Sequence, residues 1–149
     1  VTETIFFRKK LHLTEKIFRP IVLCRPFILA GAYKNLEYLK RYGFKTFSKW
    51  WDESYDDEPD NGRRLTMIAD IIEQLSQMSI DQLQDMYQDM LPVIEHNYNH
   101  FYSDFKTIIV DELLDNFVDS ITQFNQSRDQ IIYDIDSIDI KKIKQSWLS

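Results

Sequence analysis

The spacing of apolar positions changes along the chain, and the change predicts two kinds of structure. Val1–Phe7 alternates polar and apolar residues before turning apolar, which predicts a strand or strand end. Arg8–His12 is a basic loop. Thr14 precedes Glu15, Lys16, Ile17 and Phe18 and predicts a capped helix. Pro20 lies beyond the first turn of that helix and predicts a kink or a restart, because proline lacks an N–H and clashes with the preceding turn. Pro26–Gly31 is a short apolar run closed by glycine, the pattern of a buried parallel strand. Tyr33–Tyr42 sets Leu36 and Leu39 on one helical face, with Gly43 as its stop. Phe44–Phe47 predicts a third short strand. Strand, helix, strand, helix, strand implies parallel pairing through crossovers. The predicted class is α/β: a head of about three short parallel strands, then a mostly helical C-terminal part.

Beyond the head, Trp50–Gly62 reads as a loop with turn residues and an acidic run. Arg63–Met78 carries Leu65, Ile68, Ile71, Ile72 and Leu75 at helical spacing. Ser79 with Gln82 forms a capping box for the next helix, which carries Ile80, Leu83, Met86, Tyr87, Met90 and Leu91. Pro92 predicts a kink or restart before Ile94, Tyr98 and Phe101. One more helix carries Ile109, Leu113, Phe117, Val118 and Ile121, and a last one spans roughly Asp129–Trp147. The chain reads as a single domain over 1–149, with a head at 1–50, an acidic loop at 51–62 and a helical region at 63–149.

Composition narrows the class. With 149 residues, 44% hydrophobic and 14% aromatic, the chain has enough apolar surface to fold as one domain, and disorder is excluded. Only 3 Gly and 4 Pro argue against a turn-rich sandwich or barrel. A single Cys excludes an internal disulfide and a cysteine-rich zinc site. No apolar run approaches the ~20 residues of a membrane span, and no signal peptide is visible, so a cytoplasmic protein is expected. The first residue is Val1 rather than Met, the mark of a fragment or a processed product.

Charge is divided more sharply than the net −6 suggests. Residues 1–50 hold 11 Lys/Arg and 3 Asp/Glu, whereas residues 51–149 hold 7 and 21. The acidic balance argues against nucleic acid as a partner. Arg8, Lys9, Lys10, Lys16 and Arg19 cluster around one short apolar segment, which raises an anion site there. A Thr cap with Glu and Lys on the first helical turn sets an acceptor and a cation beside free N–H groups, a setting suited to a nucleoside diphosphate. The same residues also read as an ordinary capping segment with a surface lysine, and a basic face can equally dock on an acidic one.

The segment Leu13–Pro20 followed by Arg25–Leu29 resembles the nucleotide-sugar motif of GT-B glycosyltransferases of the fucosyltransferase and exostosin-like type. It is similar also to uncharacterised glycosyltransferase-like proteins of phages and marine microbes, through Thr14–Ile21, Pro26–Phe27, Gly43–Phe47 and Asp52–Asp56. The resemblance covers roughly residues 1–105. It implies a Rossmann-like head that binds a nucleoside diphosphate sugar and belongs to the C-terminal part of a two-domain transferase. Glu15 would hold the ribose hydroxyls, and Lys16 would neutralise the diphosphate and the departing charge. Glu3 would lie near the donor sugar or base, Thr14 would cap, and Arg8 or Lys10 would add a phosphate contact. No metal or other cofactor is implied. The acceptor-side domain would lie upstream, so the chain alone would bind donor without turnover. The open edge of its small sheet would pair in an oligomer. The competing expectation is a structural or interaction protein, possibly viral, whose basic head and acidic helical tail dock on a partner.

Other constellations have plainer readings. His96 and His100 stand four residues apart beside Glu95, a spacing that can share a metal, but no HExxH pattern surrounds them and polar helix surface is the expectation. Asp134, Asp136 and Asp139 lack the central Gly and distal Glu of a calcium loop. Trp50, Trp51 and Tyr55 either stack on a sugar or base or pack the loop onto the helices. Asp52, Glu53 and Asp56 either supply a base or keep the loop soluble. Cys24 sits in an apolar segment and is expected in the core.

Overall fold

The computed structural model describes residues 1–3, 11, 13–127 and 134–148. The described chain is helical: α1 (Glu15–Val22), α2 (Asn35–Arg41), α3 (Asn61–Ser76), α4 (Ile80–Tyr102), α5 (Asp104–Gln126) and α6 (Ile140–Leu148), with 3₁₀ turns at Ser54–Asp57 and Ile135–Ser137. It divides into two units, Val1–Phe101 and Tyr102–Ser149.

The predicted parallel sheet is not formed among the described residues, which corrects the α/β, Rossmann-like and GT-B expectations. One isolated parallel bridge, Thr2 with Ala30, stands where the first two strands are expected. The apolar runs at 26–31 and 44–47 are buried through Phe27, Leu29, Phe44 and Phe47, so their pattern correctly reports burial. Side chains, rather than neighbouring strands, supply the hydrogen bonds. The Asn97 side chain accepts from the Lys45 N–H at 2.8 Å and donates to the Lys45 carbonyl at 2.9 Å, copying a strand's two contacts. The Glu53 carboxylate accepts from the Phe47 N–H at 2.7 Å, and the Tyr55 hydroxyl accepts from the Leu29 N–H at 3.4 Å. Among the described residues the open sheet edge expected to pair in an oligomer is likewise not formed.

Local helix signals fare better. Thr14 caps α1, its hydroxyl accepting from the Lys16 N–H at 3.3 Å. Pro20 is accommodated within α1, which ends two residues later. The end has Schellman geometry: Arg25 N–H donates to Pro20 O at 2.8 Å and Cys24 N–H to Ile21 O at 3.1 Å. Cys24 occupies the left-handed position, φ 52°, that glycine usually fills, and is half-buried rather than in the core. Gly43 stops α2 at φ +89°, and a Cβ there would meet the His100 ring at 2.7 Å. Asp60 caps α3. The capping box of α4 forms as predicted, Ser79 N–H on Gln82 Oε1 at 2.8 Å and Gln82 N–H on Ser79 Oγ at 3.2 Å. Pro92 lies inside α4 without splitting it.

In the first unit, Ile17 and Ile21 of α1, Leu36 and Leu39 of α2, Ile68 and Ile71 of α3, and Met90 and Ile94 of α4 enclose the aromatic residues of the two extended runs. In the second unit, α5 buries Phe105, Val110 and Leu114. Lys144 of α6 pairs with Asp111, and Lys106 donates to the Leu148 carbonyl at 3.1 Å, a cation placed on the negative end of α6.

Replacing Cys24 by Gly removes the left-handed strain of a side-chain-bearing residue at the end of α1. The expected outcome is a stabilisation of about 1 kcal/mol, read from urea unfolding midpoints at constant m-value.

Candidate functional site

The residues predicted to hold a sugar nucleotide are only partly brought together. Arg8 and Lys10 lie outside the described residues, as does His12. Glu3 is buried, and its carboxylate accepts from both the N–H and the hydroxyl of Thr14. The carboxylate therefore sits at the amino end of α1, where the expected diphosphate would lie. Glu15 and Lys16 are exposed on the first turn.

The acidic loop is consumed by the fold. Lys34, the residue before α2, has left-handed backbone at φ 65° and gives α2 no side-chain cap. Asp56 replaces that cap from a distant position, its two oxygens accepting from Leu36 N–H at 2.8 Å and Glu37 N–H at 2.9 Å. Glu53 holds the Phe47 N–H, the Thr46 hydroxyl at 2.6 Å and the Lys40 ammonium at 3.3 Å. Asp52 closes a turn onto Ser54, and Asp57 pairs with Lys34. Bonds from the Ser54 N–H at 2.9 Å and hydroxyl at 2.7 Å hold Asp52 below the usual carboxylate range, and ion-paired hydrogen bonds with Asp57 and Glu37 hold Lys34 above the usual ammonium range. Arg64, fully buried, was not singled out by any spacing. It donates to the carbonyls of Gly31 at 3.2 Å and Glu58 at 2.7 Å and to Asn61 Oδ1 at 2.6 Å, tying α3 to both loops.

The remaining constellations resolve in the same direction. The His96 and His100 rings stack with centroids 5.7 Å apart, and their Nε2 atoms meet the carbonyls of Gly43 at 3.0 Å and Tyr42 at 2.6 Å. They pin the end of α2 to α4. Among the described residues, no group of three or more His, Cys, Asp or Glu is arranged to hold a metal ion. Asp134 caps the 3₁₀ turn and Asp139 caps α6. Tyr55 is buried, and burial pushes its hydroxyl well above the usual range. Trp50 donates to Asp89 at 2.9 Å, and Trp51 packs against Phe47, so the aromatic loop is packing.

The feature that spacing did not single out is a groove of about 260 Å³ between the 26–28 segment, Trp51, α3 and α4. Phe27, Trp51, Leu75, Leu83 and Met86 line it together with Tyr87, whose hydroxyl donates to the Cys24 carbonyl at 3.2 Å. A second hollow, of about 490 Å³, shares Leu83 and Tyr87 with it and is lined also by Ile80, Gln84, Asp85 and Gln88. Trp51 is 9% exposed, and among the described residues its indole N–H has no hydrogen-bond partner. A sequence signal for the groove does exist. α4 repeats apolar residues three and four apart at Ile80, Leu83, Tyr87, Met90 and Ile94. From Met90 onward the stripe is buried. Ahead of it, residues 72–89 contain no buried residue, and Ile80 is 74% exposed.

Comparison with family models, with curated proteins and with solved structures gives no match.

Asp56 gives this arrangement a pH signature. Burial is the larger influence and holds its carboxyl above the ordinary 3.8, against the two N–H donors. The folded chain thus binds that proton more tightly than the unfolded chain. Its contribution to stability falls as pH rises through the window above 3.8. Asp56→Asn is expected to flatten this slope in urea midpoints measured from about pH 3 to pH 6. Asp56→Ala orphans two N–H groups of α2 and is expected to cost about 2 kcal/mol at neutral pH.

Proposed function

We propose that this chain acts by binding a partner rather than by catalysis, and that the groove lined by Leu75 of α3 and by α4 is the binding face. The observation that carries the reading is the open apolar stripe at residues 72–89. Isolated helical turns draw little stability from propensity and depend on covering an apolar face. Here Ile72, Leu75, Ile80 and Leu83 are left without a buried position, while the same stripe farther along α4 is covered. Contiguous exposed apolar surface beside polar rims is characteristic of interaction sites. The acids nearest the predicted chemistry, Glu3, Glu53 and Asp56, are hydrogen-bonded to backbone or cap groups and serve the fold.

Sugar-nucleotide binding at Glu15 and Lys16 is the competing proposal, favoured by their exposure on the first turn of α1. Glu3 weighs against it, because a buried carboxylate already lies against Thr14. Titration calorimetry of the folded chain with UDP, GDP and ADP separates the two. We expect no heat. Heat that is lost in a Glu15→Ala, Lys16→Ala variant overturns the binding-face reading in favour of the donor site. A positive test uses a solvatochromic apolar dye. Its fluorescence should rise on the wild-type chain and fall by more than half in Ile80→Gln, Leu83→Gln with unchanged circular dichroism. An unchanged rise places the apolar surface elsewhere.

A further inference from the structure

Resting on the reading of the groove as a binding face, we infer that its occupant is a free small molecule, a neutral aromatic of one or two rings that carries a hydrogen-bond acceptor. The walls are aromatic and set in advance. Phe47 is fully buried and packs against two of them, its ring centroid 5.2 Å from that of Phe27 and 5.3 Å from that of Trp51. Tyr87 is tethered through its hydroxyl to the Cys24 carbonyl at 3.2 Å. Met86 and Met90 add two thioethers to the lining. Ring and sulfur contacts favour an aromatic guest beyond the area it covers. A rigid ring also loses no internal rotation on entry, whereas an acyl chain of equal size does. Size points the same way. An apolar cavity of roughly 150 Å³ takes benzene. This groove measures about 260 Å³.

Polarity completes the description. Among the described residues that line the groove none is charged, so a charged group inside it would lose hydration without gaining a counter-charge. Trp51 and Tyr87 bring the side-chain donors of the lining. The Tyr87 donor is committed to Cys24. The Trp51 indole N–H has no hydrogen-bond partner among the described residues, and Trp51 is more than nine-tenths buried. Its neighbour shows the contrast, since the Trp50 indole is satisfied by Asp89 at 2.9 Å. A buried donor without a partner is costly, and an acceptor delivered by an apolar guest removes that cost. A carbonyl or a neutral ring nitrogen on the guest supplies such an acceptor.

Four probes of similar size test this on the isotope-labelled full chain by NMR titration: indanone, indane, indane carboxylate and the open-chain ketone octanone. Affinities are read from the backbone amide signals. The acceptor contact is read from the indole N–H signal of Trp51, identified by its loss in Trp51→Phe. Indanone is expected to saturate, to move the Trp51 signal downfield and to bind about tenfold more tightly than indane. The carboxylate is expected to bind about tenfold or more weakly than indanone for want of a counter-charge. Octanone is expected to bind about threefold or more weakly than indanone. Trp51→Phe should erase the margin of indanone over indane. Leu83→Gln changes an exposed lining position and should weaken both alike with unchanged circular dichroism, which keeps the test decisive if Trp51→Phe does not fold. Equal binding of indanone and indane, or a bound state that leaves the Trp51 signal unmoved, overturns the inference. So does octanone or the carboxylate binding as tightly as indanone. Those results leave the binding face standing. No binding by any probe also overturns the inference, and the dye experiment then decides the face by itself.

Discussion

The carboxylate of Asp56 and the amide of Asn97 both do for the backbone what regular structure usually does. The first unit threads two apolar segments, 26–31 and 44–47, through its centre with no sheet among the described residues to receive their N–H and C=O groups. A buried backbone group without a partner costs about 1–3 kcal/mol, so such a path exists only where side chains intervene. Asn97 serves Lys45, Glu53 serves Phe47, Tyr55 serves Leu29 and Arg64 serves Gly31 and Glu58. Asp56 extends the principle to a helix end, capping α2 where Lys34 gives no side-chain cap. The unit is held by polar side chains reaching from the helices and the 53–56 turn into the segments between them.

This constraint gives those polar residues a structural role. A carboxylate whose oxygens are already committed to fixed donors has few lone pairs left to offer a substrate. Glu53 is engaged in that way by the Phe47 N–H, a hydroxyl and an ammonium. The two imidazoles are spent on the carbonyls at the end of α2. Chemistry-bearing residue types are therefore concentrated in the first unit for structural reasons.

The opposite holds from the end of α3 through the first half of α4. Past Ile71 and before Met90 nothing is buried, yet the apolar spacing continues unbroken. Apolar side chains at seam spacing in an uncovered position gain free energy when covered, at roughly 25 cal/mol per Å².

Local signals were legible wherever a few neighbouring residues decide the outcome. Thr14, Gly43, Ser79 with Gln82, and the apolar spacing of α3 and α4 act within a turn or two of themselves, and each forms as the sequence predicts. Burial of 26–31 and 44–47 was legible too, because an apolar run leaves water whatever its partners. The identity of those partners was not. Strand and side-chain-paired segment carry the same apolar pattern, and the residues that distinguish them, Asn97 and Tyr55, lie 52 and 26 positions away. For the same reason Asp56 read as either a base or a solubilising charge, and no spacing singled out Arg64. The open stretch of the α4 stripe was equally hidden, since Ile80 and Met90 belong to one repeat and differ only in what stands beside them. Sequence alone determined which surfaces seek cover and how helices begin and end; only the tertiary structure decided which groups meet, because long-range hydrogen bonds and packing depend on where the chain returns.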